Sequence, residues 1–217
     1  MNLYGHAVVA SWHSPDPWHG LGAMLPDLAG LVGARPPTPR SEPVRAGIAL
    51  HHTTDAAFHA SRDFVRLCSE GIEALQRDGL SRGAARAVAH VGVELLLDGE
   101  LAGDVGGLTC FGDALGLAAS HAADTEEALT WQGAGDAGRL RDVATRLAQA
   151  NIPLVYMDPE VVAERLYRIL ARRPRLAFDA AHLPGVRRWA VGVQREVRAA
   201  APDVLAALRP APVPRPW

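Results

Sequence analysis

Apolar residues recur at intervals of three and four along most of this chain, and no segment keeps the strict alternation of a β-strand. The clearest run is Phe64, Leu67, Cys68, Ile72 and Leu75, which fall on one face of a helix. Hydrophobic residues make up 48% of the 217, enough to build a core. The pattern predicts an all-α fold, a single-domain helical bundle.

Turn and cap signals divide this pattern into elements. Ser81 and Asp158 are predicted helix N-caps, and Pro202 is predicted to break or kink the last helix. Residues 31–43 and 100–112 are predicted connections, and 209–217 a Pro-rich extended tail after a helical domain over residues 1–208. The helices themselves are predicted at residues 2–12, 20–30, 44–78 with a break near His59 and Ser61, 81–98, 113–130, 136–150, 158–173 and 184–208.

Composition excludes several classes of protein. The formal net charge of −2 argues against a basic protein that coats nucleic acid. All 22 basic residues are arginine, so lysine chemistry such as a P-loop or a Schiff base is absent. The cysteines Cys68 and Cys110 form no CxxC pair, and no HExxH, GxSxG or GxGxxG motif occurs. The first residues lack a signal-peptide pattern and no apolar run is long enough for a membrane span, so we expect a soluble, cytoplasmic protein.

Charge is unevenly divided along the chain. Residues 1–138 contain 17 acidic residues and 8 arginines, whereas residues 139–217 contain 7 acidic residues and 14 arginines. An acidic first part suits cation ligands, and a basic second part suits a phosphate or an acidic partner. Mutual neutralisation of the two parts within one fold is the alternative.

Histidines and a carboxylate cluster in the segment GIALHHTTDAAFH, residues 47–59. A helix advances about 100° per residue, so His51, Asp55 and His59 lie on one face with His52 at its edge. Ile48 shares this face, which should therefore point inward. Buried titratable groups are unfavourable unless a partner satisfies them, and imidazole and carboxylate are usual ligands of divalent cations.

A second face carries the same chemistry. His90, Glu94 and Asp98 stand one helical turn apart, His6 lies in an apolar segment, and Asp27 follows the residues Met24-Leu25-Pro26. Four segments thus supply candidate ligands, as in metal sites of helical bundles. Taken singly, each has a structural alternative as a core histidine, a helix cap or a simple ion pair. Helical spacing leaves open whether one ion or two bind.

Several short motifs, in order along the chain, resemble those of the bacterial acyl carrier protein phosphodiesterases, a family related in fold to the HD-domain metallohydrolases. The similar segments are Met1-Asn2 with His6, the turn Gly22–Asp27, the motif Gly47-Ile-Ala-Leu-His51 with Asp55, Tyr156-Met-Asp158, and Ala171-Arg-Arg-Pro-Arg-Leu176. The resemblance implies an HD-like helical fold. It also implies hydrolysis of the phosphodiester between 4′-phosphopantetheine and a carrier-protein serine, with a divalent metal, manganese favoured.

The chain departs from this family at candidate site positions. Ala23 replaces an asparagine, and His52 follows the motif histidine in place of an arginine. His90 and Glu94, followed by Leu95, replace two aspartates of which the second precedes a histidine. These changes keep metal-ligand chemistry but add imidazole.

The expected function is therefore metal-dependent hydrolysis of a phosphoric ester. The expected metal ligands are His6, Asp27, His51, Asp55, His90 and Glu94. A metal would polarise a phosphoryl oxygen and activate water, while His52, His59 or Asp98 moves a proton. Arg172, Arg173 and Arg175 are expected to bind phosphate or an acidic carrier protein, with helix capping and surface pairing as the alternative role.

Two other functions stay open. A histidine-rich HD-like fold could hold two irons and activate dioxygen, so iron is the alternative metal. The basic C-terminal part could instead bind an acyl carrier protein without cleaving it. We expect no nucleic-acid or membrane partner, and the sequence leaves the oligomeric state open.

Overall fold

The computed structural model describes residues 1–120, 128–133, 135–150 and 152–210. The α-helices in these ranges confirm an all-α, single-domain bundle. They are α1 Leu3–His13, α2 Pro17–Leu31, α3 Glu42–Ala60, α4 Arg62–Arg77, α5 Arg82–Glu100, α6 Val105–Ala119, α7 Asp136–Gln149, α8 Pro159–Ala171 and α9 Leu183–Ala206. Short 3-10 helices span Leu154–Met157 and Ala180–His182, and β1 (Thr38–Pro39) pairs antiparallel with β2 (Leu129–Thr130).

Side-chain caps fix where several helices begin. Ser81 accepts a hydrogen bond from the Ala84 amide, and Asp158 accepts one from the Glu160 amide, as the sequence predicted. The predicted break after His59 is also present, because Ser61 is extended, with ψ 140°, and caps α4. Each cap satisfies an amide that the first turn of a helix leaves without an intrahelical partner.

Three sequence predictions were wrong. Residues 100–112 are not a glycine-rich loop, because Asp104 accepts a hydrogen bond from the Gly107 amide at 2.7 Å and starts α6 at Val105. The helix predicted from residue 113 ends at Ala119 in the described residues, and part of its remaining range, 121–127, lies outside them. The break predicted at Pro202 is absent, because α9 continues to Ala206, and the alternative, a kink, stays a prediction. Most of the predicted tail, residues 211–217, lies outside the described residues.

The helices pack in two connected groups around one core. In the first group, α1 and α3 pack on α2, and α6 packs on α1, α2 and α7. In the second, α9 packs across α4, α5 and α8, and α1 contacts α5 between the groups. Fully buried residues occur in both, including Tyr4, Met24, Leu96 and Leu166. No helix within the described ranges is long and apolar enough to cross a membrane.

Two glycines let α2 and α3 approach backbone to backbone. A Cβ on Gly47 would lie 2.2 Å from the His19 carbonyl oxygen, and one on Gly22 would lie 2.3 Å from the Val44 carbonyl oxygen. No side chain fits at such distances, because the obstructing atoms are main chain. This contact places Asp27 and His51, on the two helices, on the same side of α1.

We expect Gly47→Ala to lower the free energy of unfolding by about 1–3 kcal/mol, because the methyl group forces α2 and α3 apart. Gly192→Ala is the matched control, since Gly192 lies in α9 and a methyl group added there would have nothing within 4 Å. It should be neutral or raise stability by up to about 1 kcal/mol. Urea denaturation followed by circular dichroism measures both. Equal stability of the two variants would contradict the close helix contact.

Candidate metal centre

One group of potential ligands joins the first three helices. His6 of α1, Asp27 of α2 and His51 of α3 each offer a ligand atom, and these atoms lie within 4.8 Å of one another. We call this set cluster A. His6 is 1% exposed, yet neither of its ring nitrogens has a hydrogen-bond partner, and Asp27 Oδ2 also lacks one. Buried polar atoms are nearly always paired, so this group is incomplete without a further partner.

The orientation of His51 leaves one nitrogen available to a ligand. Its Nδ1 lies 2.8 Å from the Ala23 carbonyl oxygen, which requires an N–H at Nδ1 and leaves the Nε2 lone pair free. The His6 and His51 rings stack with centroids 4.0 Å apart. Burial lowers the pKa of His51 to about 4, so the ring is neutral at pH 7, the form that binds metals.

The carboxylate of cluster A is also removed from water. Burial raises the pKa of Asp27, and nearby His6 lowers it only in part. Asp27 Oδ2 lies 3.7 Å from His6 Nε2, beyond hydrogen-bond reach. A divalent cation held by imidazole nitrogens and a carboxylate oxygen would satisfy every partnerless atom of cluster A except His6 Nδ1, so the residues present fit a metal.

Asp55 of α3 lies next to this cluster. Its Oδ1 is 3.6 Å from His6 Nε2 and 2.5 Å from the Met1 amino group, and its Oδ2 is 3.1 Å from His59 Nδ1. Burial alone would raise the pKa of Asp55, but contacts with His59, His6 and the Met1 amino group outweigh it and hold this pKa well below its usual range. Asp55 is therefore a carboxylate at neutral pH.

A second group joins α3 to α5. His59, His90 and Glu94 also offer ligand atoms within 4.8 Å of one another, and we call them cluster B. Glu94 Oε1 lies 3.0 Å from His59 Nε2 and 3.2 Å from His90 Nε2. Burial would raise the pKa of Glu94, but the two histidines lower it to about 2. Hydrogen bonds to Asp55 and Glu94 raise the pKa of His59 to about 9.

Asp98, a predicted proton-transfer residue, is held by the start of α1. Its side chain is 1% exposed and accepts hydrogen bonds from Asn2 Nδ2 at 2.7 Å and from the Gly5 amide at 2.9 Å. It belongs to neither cluster in the described residues. In this position Asp98 fixes the N-terminus of α1, the helix that carries His6. Burial raises the pKa of Asp98 to about 7.

The two predicted proton-transfer histidines lie in different surroundings. His52 is exposed and stands edge-on to His51, with ring centroids 5.2 Å apart, outside both clusters. His59 lies between Asp55 and Glu94. The catalytic roles of His52, His59 and Asp98 stay predictions.

A cavity of about 560 Å³ opens beside cluster A. Asn2 and Asp27 line it, together with four arginines of α8 and the residues just after it: Arg165, Arg168, Arg172 and Arg173. Among the described residues, none of these guanidinium groups forms an ion pair with a carboxylate. Arg175 is not part of the lining, and its predicted role stays a prediction. The cavity joins a candidate cation site to a strongly positive wall.

Sequence reasoning missed two arginines of this region. Arg165 and Arg168 precede Arg172 by seven and four positions, and this helical spacing was a signal that could have found them. Asn2 was named as part of the Met1-Asn2 motif, but its contact with Asp98 could not be predicted, because the two residues are distant in sequence.

Comparison with protein-family models, with curated proteins and with solved structures finds no significant match to this chain. The resemblance to the carrier protein phosphodiesterases therefore rests on the motifs alone.

The raised pKa of Asp98 predicts a pH-dependent stability. A folded-state pKa of about 7 exceeds the unfolded value, so the contribution of Asp98 is complete below about pH 4 and is lost as the pH rises through about 7. We expect EDTA-treated wild type to lose stability relative to Asp98→Asn over that interval, because the amide carries no charge. Urea denaturation at a series of pH values measures the difference. A pH-independent difference would contradict the buried, desolvated carboxyl.

Proposed function

We propose that this chain is a divalent-metal-dependent hydrolase of a phosphoric ester. One observation carries the proposal: buried, partnerless atoms of His6 and Asp27 lie beside a cavity with an arginine wall. A cation site and an anion site that share one cavity suit a substrate with a phosphoryl group. The motifs shared with the carrier protein phosphodiesterases favour the same reaction.

Cluster A and Asp55 would hold the metal, through His6, Asp27, His51 and one Asp55 oxygen. When bound, a divalent ion supplies a Lewis acid that polarises a phosphoryl oxygen and activates water. The hydrogen bond between His51 Nδ1 and the Ala23 carbonyl fixes the ring orientation that ligation needs. Manganese is the proposed metal, because the carboxylates Asp27 and Asp55 suit it and the resemblance favours it.

The arginines would bind and orient the phosphate. Guanidinium groups match phosphate geometry and stay charged at all working pH values. Arg172 and Arg173 were predicted for this role, and Arg168 lines the same cavity. Because these groups have no ion-pair partner among the described residues, their charge is available to a ligand.

His59 could hold the proton that a leaving group requires. Its raised pKa, about 9, keeps the ring protonated at pH 7, and its side chain is 29% exposed. Proton donation by a positioned imidazolium contributes typically about 10²–10⁴-fold to a rate. An acyl carrier protein is the proposed substrate partner, since the basic part of the chain suits an acidic protein.

A specific observation favours oxygen activation as a second candidate function. Clusters A and B each combine two histidines with one carboxylate, the set typical of non-haem iron enzymes. Iron in the purified protein, with an absorption band in the visible region, would support this candidate over hydrolysis.

The metal site is tested by His51→Ala and Asp55→Ala, with His182→Ala as the control. His182 contacts the Asp78 carbonyl and lies outside both clusters. We expect each site variant to lose one equivalent of bound manganese in elemental analysis, relative to wild type. We also expect them to lose hydrolysis of bis(4-nitrophenyl) phosphate and of a phosphopantetheinylated carrier protein, because the Lewis acid is gone.

A manganese content equal to that of wild type in both site variants would overturn the site. Carrier-protein binding with no phosphopantetheine release, in the metal-loaded wild type, would favour the non-catalytic alternative.

The arginine wall is tested by Arg172→Ala, with exposed Arg77→Ala of α4 as the control. We expect Arg172→Ala to raise KM for the phosphoric ester by about tenfold or more, since a charge-assisted hydrogen bond contributes about 1.5–3 kcal/mol. Manganese content should not change, because Arg172 is not a ligand. Steady-state kinetics and elemental analysis give both quantities, and an unchanged KM would remove the arginine from the substrate site.

A further inference from the structure

Cluster B has the composition and support of a metal site in its own right. It combines two imidazole nitrogens with one carboxylate oxygen, all within 4.8 Å. His90 and Glu94 stand one turn apart on α5, and His59 reaches them from α3. Ligands on two packed helices are held more precisely than ligands on loops.

The His59 ring is oriented as metal-binding histidines are. Its Nδ1 lies 2.9 Å from the Asp55 carbonyl oxygen, an acceptor that requires an N–H at Nδ1. In the neutral ring the Nε2 lone pair then points at Glu94 Oε1, 3.0 Å away. Two facing lone pairs repel, so either a proton on Nε2 or a metal ion must lie between them. His51 in cluster A has the same arrangement, with its Nδ1 on the Ala23 carbonyl.

Aromatic packing holds both imidazoles in place. The His59 and His90 rings are nearly parallel, with centroids 4.9 Å apart and an interplanar angle of 14°. The ring of Phe64 meets each of them close to perpendicular, at 4.9 Å from His59 and 5.2 Å from His90. Such packing fixes rotamers before any ligand arrives, which lowers the entropic cost of binding.

Negative charge and access complete the site. Glu94 is mostly buried, with its side chain 11% exposed, whereas the side chains of His59 and His90 are 29% and 44% exposed. A cation can therefore enter from solvent and reach a desolvated carboxylate. Another positive group near Glu94 is the Met1 amino group, which lies 3.5 Å from Glu94 Oε1 but closer, at 2.5 Å, to Asp55 Oδ1.

We propose that His59 Nε2, His90 Nε2 and Glu94 Oε1 bind a second divalent cation, distinct from the one assigned to cluster A. Without a metal, each histidine can donate its own hydrogen bond to Glu94 Oε1, whereas one metal ion would bind all three atoms directly. The binding itself is independent of the reaction, whereas any role of this ion in hydrolysis rests on the proposed function. In the protein with both ions bound, His59 Nε2 would then be a ligand, and His59 would hold the leaving-group proton only where cluster B is empty.

The test counts manganese ions in the full chain. Wild type, His90→Ala, His51→Ala and the control His182→Ala are loaded with Mn²⁺, dialysed and measured by elemental analysis. We expect two equivalents in wild type and in the control, and one in each of the other variants. Electron paramagnetic resonance should show spin coupling between neighbouring Mn²⁺ ions in wild type and in the control only.

Other numbers of bound manganese ions would overturn the inference, and they show whether the cluster A site is also lost. One equivalent in wild type, lost in His51→Ala and kept in His90→Ala, would mean that cluster B is only a hydrogen-bonded imidazole–carboxylate group. A single equivalent lost in both variants would mean one shared site. No manganese in wild type would overturn both this inference and the proposed function.

Glu94→Gln provides a second variant that keeps the side-chain shape. It should also lose one equivalent, because the amide removes the charge of the only carboxylate in the cluster. Circular dichroism melting of each metal-free variant shows whether it is folded. A folded Glu94→Gln protein with two equivalents would contradict cluster B as a site.

Discussion

The backbone contact between α2 and α3 is the constraint on which the candidate centre depends. Gly22 and Gly47 remove the side chains that would hold these helices apart. Because the helices touch, the Ala23 carbonyl of α2 comes within 2.8 Å of His51 Nδ1 on α3 and selects its tautomer. Asp27, one turn after Ala23, then lies beside the stacked rings of His6 and His51. A packing contact between main-chain atoms thus sets the ligand orientation.

The two clusters resolve the burial of charge in different ways. In cluster A, burial raises the pKa of Asp27 and lowers that of His51, so both groups are destabilised as ions, and Asp27 Oδ2 has no hydrogen-bond partner. In cluster B, imidazoles already pair with Glu94 and lower its pKa. Burying an unpaired polar or charged group costs free energy, so a bound cation stabilises cluster A more than cluster B. At cluster B it must replace an existing hydrogen-bonded arrangement.

Helical periodicity predicted much of this molecule from the sequence. It placed His51, Asp55 and His59 on one face and His90 with Glu94 on another, and cap residues such as Ser81 located helix starts. Periodicity does not say which helices pack together, so the pairing of His59 with His90 across α3 and α5 could not be predicted. The start of α6 was missed because glycines after Asp104 resemble a loop locally, although tertiary packing on α1 and α2 makes them helical.

The acidic and basic parts of the sequence both contribute residues to the region around the cavity. The carboxylates of the centre, Asp27, Asp55 and Glu94, come from the acidic part of the chain, and the arginines of α8 come from the basic part. If the two parts only neutralised each other, these arginines would pair with carboxylates. Instead they line a cavity with Asp27 and form no ion pair among the described residues. Opposite charges are kept close but unpaired, as a site requires if it is to hold a cation and an anion together.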